Sequence, residues 1–207
     1  MIISQTTESL PRISKAIAGG GVIAFRTDTF YGLGADPFNR AAVVRLKELK
    51  GREDRKPILI VISEHNQLER FIVERTRSFD LLAETFWPGP LTLIGKAAPD
   101  VPVEITAGSE TVGVRMPDDD DARTLVRECG GALTATSANP SDQAPAKTAD
   151  EARRYFNGLV DLIVDGGPAR TDLPSTVVDV SEPTARLIRK GVISWAEIQK
   201  ALQLAAD

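Results

Sequence analysis

Several residue types are scarce in this chain of 207 residues. It has one cysteine and one histidine, which excludes a disulfide framework and a zinc site built from these residues, and disfavours a Cys–His nucleophile pair. No apolar run approaches the roughly 18 residues that a membrane span needs, and the N-terminus lacks a basic segment followed by an apolar one. We therefore expect a cytoplasmic protein without membrane contact, whose chemistry uses neither a thiol nor an imidazole.

The remaining composition is that of a folded domain. Hydrophobic residues make up 42% of the chain and charged residues 26%, which suits a chain that buries a core. The length fits one domain, so we expect a single domain over residues 1–207. The net charge of −4 argues against a generally basic nucleic-acid-binding surface but permits a local basic cleft.

Helical and strand-like segments alternate along the chain, which predicts an α/β fold. Several predicted strand pairs lack an intervening helix long enough for a parallel crossover, so we expect a mixed sheet with flanking helices. Asn39 and Gly51 have the residue types of an N-cap and a C-cap, and we expect a helix between them. The other expected strands lie at 22–25, 57–62, 91–94, 112–115, 132–135, 160–164, 176–180 and 185–189, and the other helices near 10–17, 79–86, 122–129, 148 and 195–204.

Positive charge is concentrated in residues 40–56, which hold seven basic and three acidic residues. Lys50, Gly51 and Arg52 fall at the predicted end of a helix, where cations interact favourably with the helix dipole. A lysine and a planar arginine separated by a glycine also suit a polyanion lying between them. The sequence leaves both interpretations open.

Polar side chains follow or interrupt several of the predicted strands. Residues 134–141 carry hydroxyls and an amide directly after a strand, where ligands bind in open α/β sheets, although a turn with side-chain caps has the same composition. Arg115 lies in an otherwise aliphatic strand, and a buried arginine needs a partner. Ser175 and Arg189 add polar groups beside two further strands.

Other conspicuous residues have structural explanations. The glycines at 19–21 precede a strand and do not follow one, so we interpret them as a helix terminator and not as a phosphate loop. The four aspartates at 118–121 are expected at a helix N-terminus and not in a metal loop. Cys129 is expected to pack or lie near a helix end, and His65 to begin a surface helix.

A series of motifs resembles one known family. The first two motifs are the segment RTDTFYGLG at 26–34 and the pair formed by K-G-R at 50–52 and S-A-N at 137–139. Four further motifs occur in the order of the family: WPGPLT at 87–92, VRMP at 114–117, STVVD at 175–179 and R-x-G at 189–191. These motifs resemble the P-T-[ED]-T-x-Y-G-L-G opening and the K-x-R and S-x-N signature of the YrdC/TsaC family, the threonylcarbamoyl-AMP synthases. The resemblance covers about residues 17–191, and the length resembles that of the short form without an additional C-terminal domain.

The resemblance implies a twisted α/β fold with a basic concave cleft and a nucleotidyltransferase activity. L-threonine and bicarbonate would give an N-carboxy adduct, whose carboxylate attacks the α-phosphorus of ATP and expels pyrophosphate. The product, L-threonylcarbamoyladenylate, would pass to a downstream threonylcarbamoyl transferase that modifies tRNA. Mg²⁺ is implied with ATP, held by the nucleotide and water, and no metal site of the protein is expected.

The same resemblance implies a role for each matching residue. Lys50 and Arg52 would be the catalytic charges, and no residue is assigned as a general base. The residues implied to bind ATP are Lys50, Arg52, Lys56, Thr111, Ser137, Asn139 and Arg189. The residues implied to bind L-threonine are Thr29, Arg115 and Ser175.

Four positions depart from the family pattern. Arg26 and Lys190 stand where proline is common, Asp142 where glycine is common, and Pro174 where an acidic residue is usual. Arg26 either adds an anion contact or changes the path of the chain after its strand.

Two other functions compete with this interpretation. A basic cleft could bind transfer RNA or double-stranded RNA without catalysis, and its binding would depend on salt. The hydroxyl and amide groups of a polar set favour an enzyme, because contacts to a phosphate backbone would not need them; the set consists of Thr29, Ser137, Asn139 and Ser175. The related carbamoyl-adenylate enzymes of hydrogenase maturation carry acylphosphatase and zinc-finger-like regions that 207 residues with one cysteine cannot contain.

Overall fold

Strands and helices alternate throughout residues 1–51 and 56–204, which are the residues that the structure, a computed structural model, describes. The α-helices are α1 (Leu10–Ala18), α2 (Arg40–Lys50), α3 (Arg77–Phe86), α4 (Val103–Thr106), α5 (Asp120–Glu128), α6 (Ala149–Phe156) and α7 (Trp195–Leu204), and a 3₁₀ helix covers His65–Arg70. The strands are β1 (Ile2–Ser4), β2 (Ile23–Arg26), β3 (Tyr31–Gly34), β4 (Ile60–Ile62), β5 (Leu91–Lys96), β6 (Thr111–Arg115), β7 (Ala132–Thr134), β8 (Thr136–Ser137), β9 (Leu162–Asp165), β10 (Thr176–Asp179) and β11 (Arg186–Arg189).

The strands form two mixed sheets. The first has the order β1-β9-β2-β3-β8, with β1, β9 and β2 parallel and the β2–β3 and β3–β8 pairs antiparallel. The second has the order β11-β10-β5-β6-β4-β7, in which β10 runs parallel to β5 and β4 parallel to β6. The predicted α/β fold with mixed strand pairing is therefore confirmed, but it is divided between two sheets.

Local signals at the helix ends are realised in the structure. The side chain of Asn39 accepts a hydrogen bond from the Ala42 amide at 3.1 Å, and Gly51 ends α2 in the left-handed region with φ 59°. Asp119 caps α5 in the same way and accepts from the Ala122 amide at 3.1 Å. The predicted helix-terminal role of the aspartates is confirmed, and no group of three or more His, Cys, Asp or Glu residues in the described ranges could hold a metal ion.

Four strands differ from the prediction, and the first of them is β1 at Ile2–Ser4, where no strand was expected. The strand expected at 57–62 covers only Ile60–Ile62, because the Ile58 amide donates to the Ile105 carbonyl at 2.9 Å and not to a neighbouring strand. The glycine-rich segment Tyr31–Gly34 forms β3 against β2, and Thr136–Ser137 forms a short strand in a segment expected to be a loop. Strands β1 and β8 form by pairing with segments more than 100 residues away along the chain, whereas β3 forms an antiparallel pair with β2, which directly precedes it.

The core fills the space between the sheets and their helices. The side chains of Phe25, Phe71, Phe79 and Phe156 are each no more than 1% exposed. Cys129 lies at the C-terminal end of α5, packed against the hydrophobic cluster that α1 and α5 share, as expected. Among the helices described, none is both long and apolar enough to cross a membrane.

Candidate active site

A cavity of about 430 Å³ opens where the ends of strands from both sheets meet. The turn between β2 and β3 and strand β8 line it from the first sheet, and the ends of β6, β10 and β11 line it from the second. Among the described residues, its charged lining consists of four cations and one acid, namely Lys50, Lys56, Arg115, Arg189 and Asp142. The cavity is therefore a basic concave site in a chain whose net charge is negative.

Lys50 is buried at the last turn of α2, with 6% of its surface exposed. Its ammonium donates to Oδ1 of Asn139 at 2.7 Å and to Oγ of Ser137 at 3.0 Å, and it also contacts the Ser137 carbonyl. A lysine that only complements a helix dipole stays solvated, whereas a buried ammonium needs polar partners of this kind. The structure therefore brings together three residues of the K-x-R and S-x-N signature.

The chain that follows Ser137 is fixed to the end of α2. The amide of Asn139 donates to the carbonyls of Pro140 and Gln143 at 2.8 and 2.7 Å. Ser141 donates to the Lys50 carbonyl at 3.1 Å through its backbone amide and again through its hydroxyl. Asp142 then adopts φ 67°, a left-handed conformation that favours glycine, which explains why glycine is common at this position of the motif.

Arg115, another residue of the cavity lining, is held by the turn between β2 and β3. Its Nη1 donates to Oδ1 of Asp28 at 2.6 Å and to Oγ1 of Thr29 at 3.2 Å, and its Nη2 donates to Oγ1 of Thr27 at 3.3 Å. The partner that a buried arginine requires is thus Asp28, the acidic residue of the first motif. The sequence predicted the need for a partner without identifying Asp28 or Thr27.

Ser175 and Arg189 meet beside the start of β10. Arg189 donates to the Ser175 carbonyl through Nε and Nη2 at 3.1 and 2.9 Å, and its Nη2 reaches the Ser175 hydroxyl at 2.9 Å. The hydroxyls of Ser175 and Thr92 lie 2.9 Å apart. A Cβ at Gly191 would lie 2.3 Å from the Pro174 carbonyl oxygen, so glycine in R-x-G permits the close approach that brings Arg189 to Ser175.

The structure does not bring every expected residue to the cavity. Thr111 begins β6, the strand that Arg115 ends, so the two lie about 13 Å apart and Thr111 does not line the cavity. Lys56 is exposed and lines the cavity, while Arg52 lies outside the described residues. Arg26 forms a buried ion pair with Asp119 at 2.9 Å outside the cavity, which corrects the alternative of an additional anion contact.

The lining favours charge neutralisation over proton transfer. Tyr31 lines the cavity, and burial together with nearby Asp165 raises the pKa of its phenol far above the usual range, so it stays protonated. The Tyr31 hydroxyl donates to the Gly167 carbonyl at 2.7 Å. His65 lies outside the cavity near Trp87, in the predicted surface helical turn, and burial raises the pKa of Cys129 to about 12. The site can bind and align anions without a thiol or an imidazole.

Comparisons with known proteins agree with this geometry. The sequence model of the family Sua5/YciO/YrdC, described as "Telomere recombination", matches residues 15–191. The chain is 39% identical to the threonylcarbamoyl-AMP synthase of Pyrococcus abyssi over 186 residues, 90% of this chain and 55% of that protein. It is 38% identical to the enzyme of the same name from Thiobacillus denitrificans over 179 residues, 86% of this chain and 94% of that protein. The chain thus spans little more than half of the Pyrococcus relative and most of the Thiobacillus relative.

Solved structures match along nearly the whole chain. The P. abyssi Sua5 structure, a complex with L-threonine, has a TM-score of 0.94 and 36% identity, with 98% of this chain and 61% of that chain covered. Escherichia coli YciO has a TM-score of 0.84 at 23% identity, covering 96% of this chain and 98% of that chain, and shows a shared fold. From the family match and these relatives, the chain belongs to the Sua5/YciO/YrdC family.

Proposed function

We propose that this protein is a threonylcarbamoyl-AMP synthase, which condenses L-threonine, bicarbonate and ATP and releases pyrophosphate. The observation that carries the proposal is one cavity that combines Lys50, Lys56 and Arg189 with a separate polar wall around Arg115. Two walls of this kind suit a reaction between a polyphosphate and a small zwitterion. Relatives bearing the name threonylcarbamoyl-AMP synthase and the complex of the P. abyssi protein with L-threonine support the assignment.

The wall formed by α2 and β8 is assigned to the nucleotide. Lys50, held by Ser137 and Asn139, presents a fixed ammonium to the phosphates, and Lys56 and Arg189 add further positive charge at the cavity. Positive groups placed in advance stabilise the charge that develops when pyrophosphate leaves. Arg52 is assigned to the same task from its place in the motif, as a residue outside the described ranges.

The part of the lining around Arg115 is assigned to L-threonine. Arg115 uses its two Nη groups for Asp28, Thr29 and the neighbouring Thr27, and no described residue accepts from its Nε–H. That edge of the guanidinium can receive the carboxylate of an amino acid in a charge-assisted hydrogen bond. Thr29, which contacts Arg115, and Ser175 supply hydroxyls to the lining of the same cavity.

The reaction then follows from alignment of the two reactants. The amine of L-threonine loses a proton to bicarbonate or water and forms a C–N bond with bicarbonate carbon as water leaves. An oxygen of the resulting carbamate attacks the α-phosphorus, and the bond from that phosphorus to the bridging oxygen of pyrophosphate breaks. Holding the carbamate and the α-phosphorus in one cavity converts an encounter in solution into a reaction between neighbours.

Mg²⁺ is proposed to arrive with ATP. The charged lining that the structure describes includes a single carboxylate, Asp142, which fits a cation carried by phosphate oxygens and water better than a cage of protein ligands. Bound Mg²⁺ would neutralise part of the triphosphate charge. Asp142 and Ser141 line the cavity and could supply oxygen ligands to such a cation beside phosphate and water.

The proposed product also defines the partners. A threonylcarbamoyl adenylate is an activated donor, so a downstream threonylcarbamoyl transferase acting on tRNA would consume it, and the cytoplasm would be the site of the reaction. Binding of tRNA or double-stranded RNA is proposed only as an accessory contact at the exposed basic mouth around Lys56.

Detection of the product tests the proposal. The protein is incubated with ATP, L-threonine and bicarbonate, and mass spectrometry is expected to detect threonylcarbamoyl-AMP. The Lys15→Ala variant is a matched control, since Lys15 lies in the last turn of α1 and is exposed, and it should form the product like the unmodified protein. Salt-dependent RNA binding without any adenylate product would contradict the proposal and support the RNA-binding alternative.

A further inference from the structure

Two buried ion pairs join the end of β2 to the end of β6. Arg26 pairs with Asp119 at 2.9 Å, and Asp28, two residues later, pairs with Arg115 at 2.6 Å. All four side chains are at most 10% exposed. In both segments the cation comes first along the chain, Arg26 before Asp28 and Arg115 before Asp119. Each cation pairs with the anion of the other segment, so the two pairs align the segments in opposite directions.

The inner pair lies directly behind the cavity. Arg115 and Thr29 line the cavity, but Asp28 does not. Both carboxylate oxygens of Asp28 are used, because Oδ1 accepts from Arg115 and Oδ2 accepts from the Asp118 amide at 3.2 Å. Asp28 is therefore placed to act on a ligand only through Arg115.

The outer pair holds the chain that supplies the Asp118 amide. Asp119 accepts from Nε and Nη2 of Arg26 at 2.9 and 3.1 Å and also caps α5. Arg26 donates in addition to the Gly166 carbonyl. The Arg26–Asp119 pair thus fixes the chain next to residue 118. The amide of residue 118 in turn donates to Asp28, which accepts from the Arg115 guanidinium.

We propose that Asp28 is a positioning residue that orients Arg115 for the carboxylate of L-threonine, with the Arg26–Asp119 pair supporting it from behind. The inference rests on the proposed function, since it assumes that Arg115 receives that carboxylate. Orientation matters because an arginine recognises a carboxylate through a planar edge, and a guanidinium that rotates loses the paired hydrogen bonds.

The chemistry of the amide makes Asp28→Asn the informative change. The Arg115 Nη1–H and the Asp118 N–H both need acceptors, and an asparagine side chain has one oxygen where the aspartate has two. One of the two donors would therefore face an NH₂ group. Either arrangement shifts Arg115 or the turn that carries residue 28.

Titration calorimetry with L-threonine and, separately, with ATP measures the effect. Asp28→Asn is expected to weaken L-threonine binding by about tenfold, as for loss of a charge-assisted hydrogen bond, and to leave ATP binding within about twofold. Asp179→Asn is the matched control, because Asp179 is a buried partner of Arg186 at 2.7 Å that lies outside the cavity. It should leave both affinities unchanged.

Arg115→Ala separates this inference from the proposed function. It should weaken L-threonine binding by about tenfold to a hundredfold, and adding Asp28→Asn to it should cause no further loss, because Asp28 acts through Arg115. If Arg115→Ala leaves L-threonine binding unchanged, the proposed threonine site is wrong. If Arg115→Ala weakens it and Asp28→Asn does not, the positioning role is overturned.

Two other variants test the inference if Asp28→Asn does not fold. Asp28→Glu keeps both oxygens but lengthens the side chain, and it should weaken L-threonine binding without a matching change for ATP. Arg26→Lys keeps a cation beside the buried Asp119 but removes the paired hydrogen bonds of the guanidinium, and it should have a smaller effect in the same direction. Unchanged L-threonine affinity in both variants would overturn the inference.

Discussion

Replacement of Lys50 by alanine separates a buried functional lysine from an ordinary lysine at a helix end. Lys50 and Lys15 both lie in the last turn of an α-helix, α2 and α1 respectively. Lys50 is buried and donates to Ser137 and Asn139, whereas Lys15 is exposed. The comparison of Lys50→Ala with Lys15→Ala therefore holds the helix position constant and changes the surroundings.

The magnitude follows from the contacts of the ammonium. A hydrogen bond to a charged group contributes about 1.5–3 kcal/mol, but removing a buried cation also relieves its desolvation, so we expect a net loss of about 2–3 kcal/mol from the free energy of unfolding. For a chain of this length each kcal/mol changes the melting temperature by about 2–4 °C, which gives a decrease of about 4–12 °C. Lys15→Ala should cost about 1 kcal/mol or less.

Thermal denaturation and titration with ATP measure both effects. Lys50→Ala should also bind ATP at least about tenfold more weakly, which corresponds to about 1.4 kcal/mol. Lys15→Ala should bind ATP like the unmodified protein. The reasoning is refuted if the two variants have the same melting temperature and the same ATP affinity, because Lys50 would then be only a solvated charge at a helix end.

Three further predictions concern the cavity wall, the R-x-G motif and the half-buried thiol of Cys129. Asp142→Gly should raise the melting temperature by about 2–4 °C, because it relieves about 1 kcal/mol of left-handed strain at φ 67°, and a lower melting temperature would contradict this. Gly191→Ala should lower the free energy of unfolding by about 1–3 kcal/mol and weaken ATP binding, since the new Cβ would lie 2.3 Å from the Pro174 oxygen; unchanged denaturation curves would contradict the close approach. Burial raises the pKa of Cys129 to about 12, so its neutral thiol stabilises the fold below about pH 9, and this contribution is lost as the pH rises towards 12. Iodoacetamide at about pH 8 should accordingly modify Cys129 slowly until denaturant is added, and equal rates in both conditions would contradict its burial.

Features set by neighbouring residues could be predicted from the sequence. Asn39, Gly51 and Asp119 act at helix ends through contacts within three residues, so their roles are visible in the local pattern. The expectation of a mixed sheet also followed from the lengths of the connections. The division into two sheets did not, because strands such as β1 and β8 are defined by partners more than 100 residues away along the chain.

Features set by distant pairing were only partly predictable. Chemistry alone showed that Arg115 needs a partner, but the partner Asp28 lies 87 residues earlier and is identified only by the fold. The assignment of Thr111 came from the resemblance, and the direction of β6 carries it away from the cavity. Residue type and order therefore indicated the chemistry, whereas strand direction decided which side chains share the site.

Release of pyrophosphate with each substrate omitted in turn tests the central claim most directly. The attacking carboxylate exists only after L-threonine has combined with bicarbonate, so we predict release from ATP only when both are present. Omission of either one should reduce the rate to that of the reaction without protein. Equal release of pyrophosphate in the absence of L-threonine would contradict the proposed reaction.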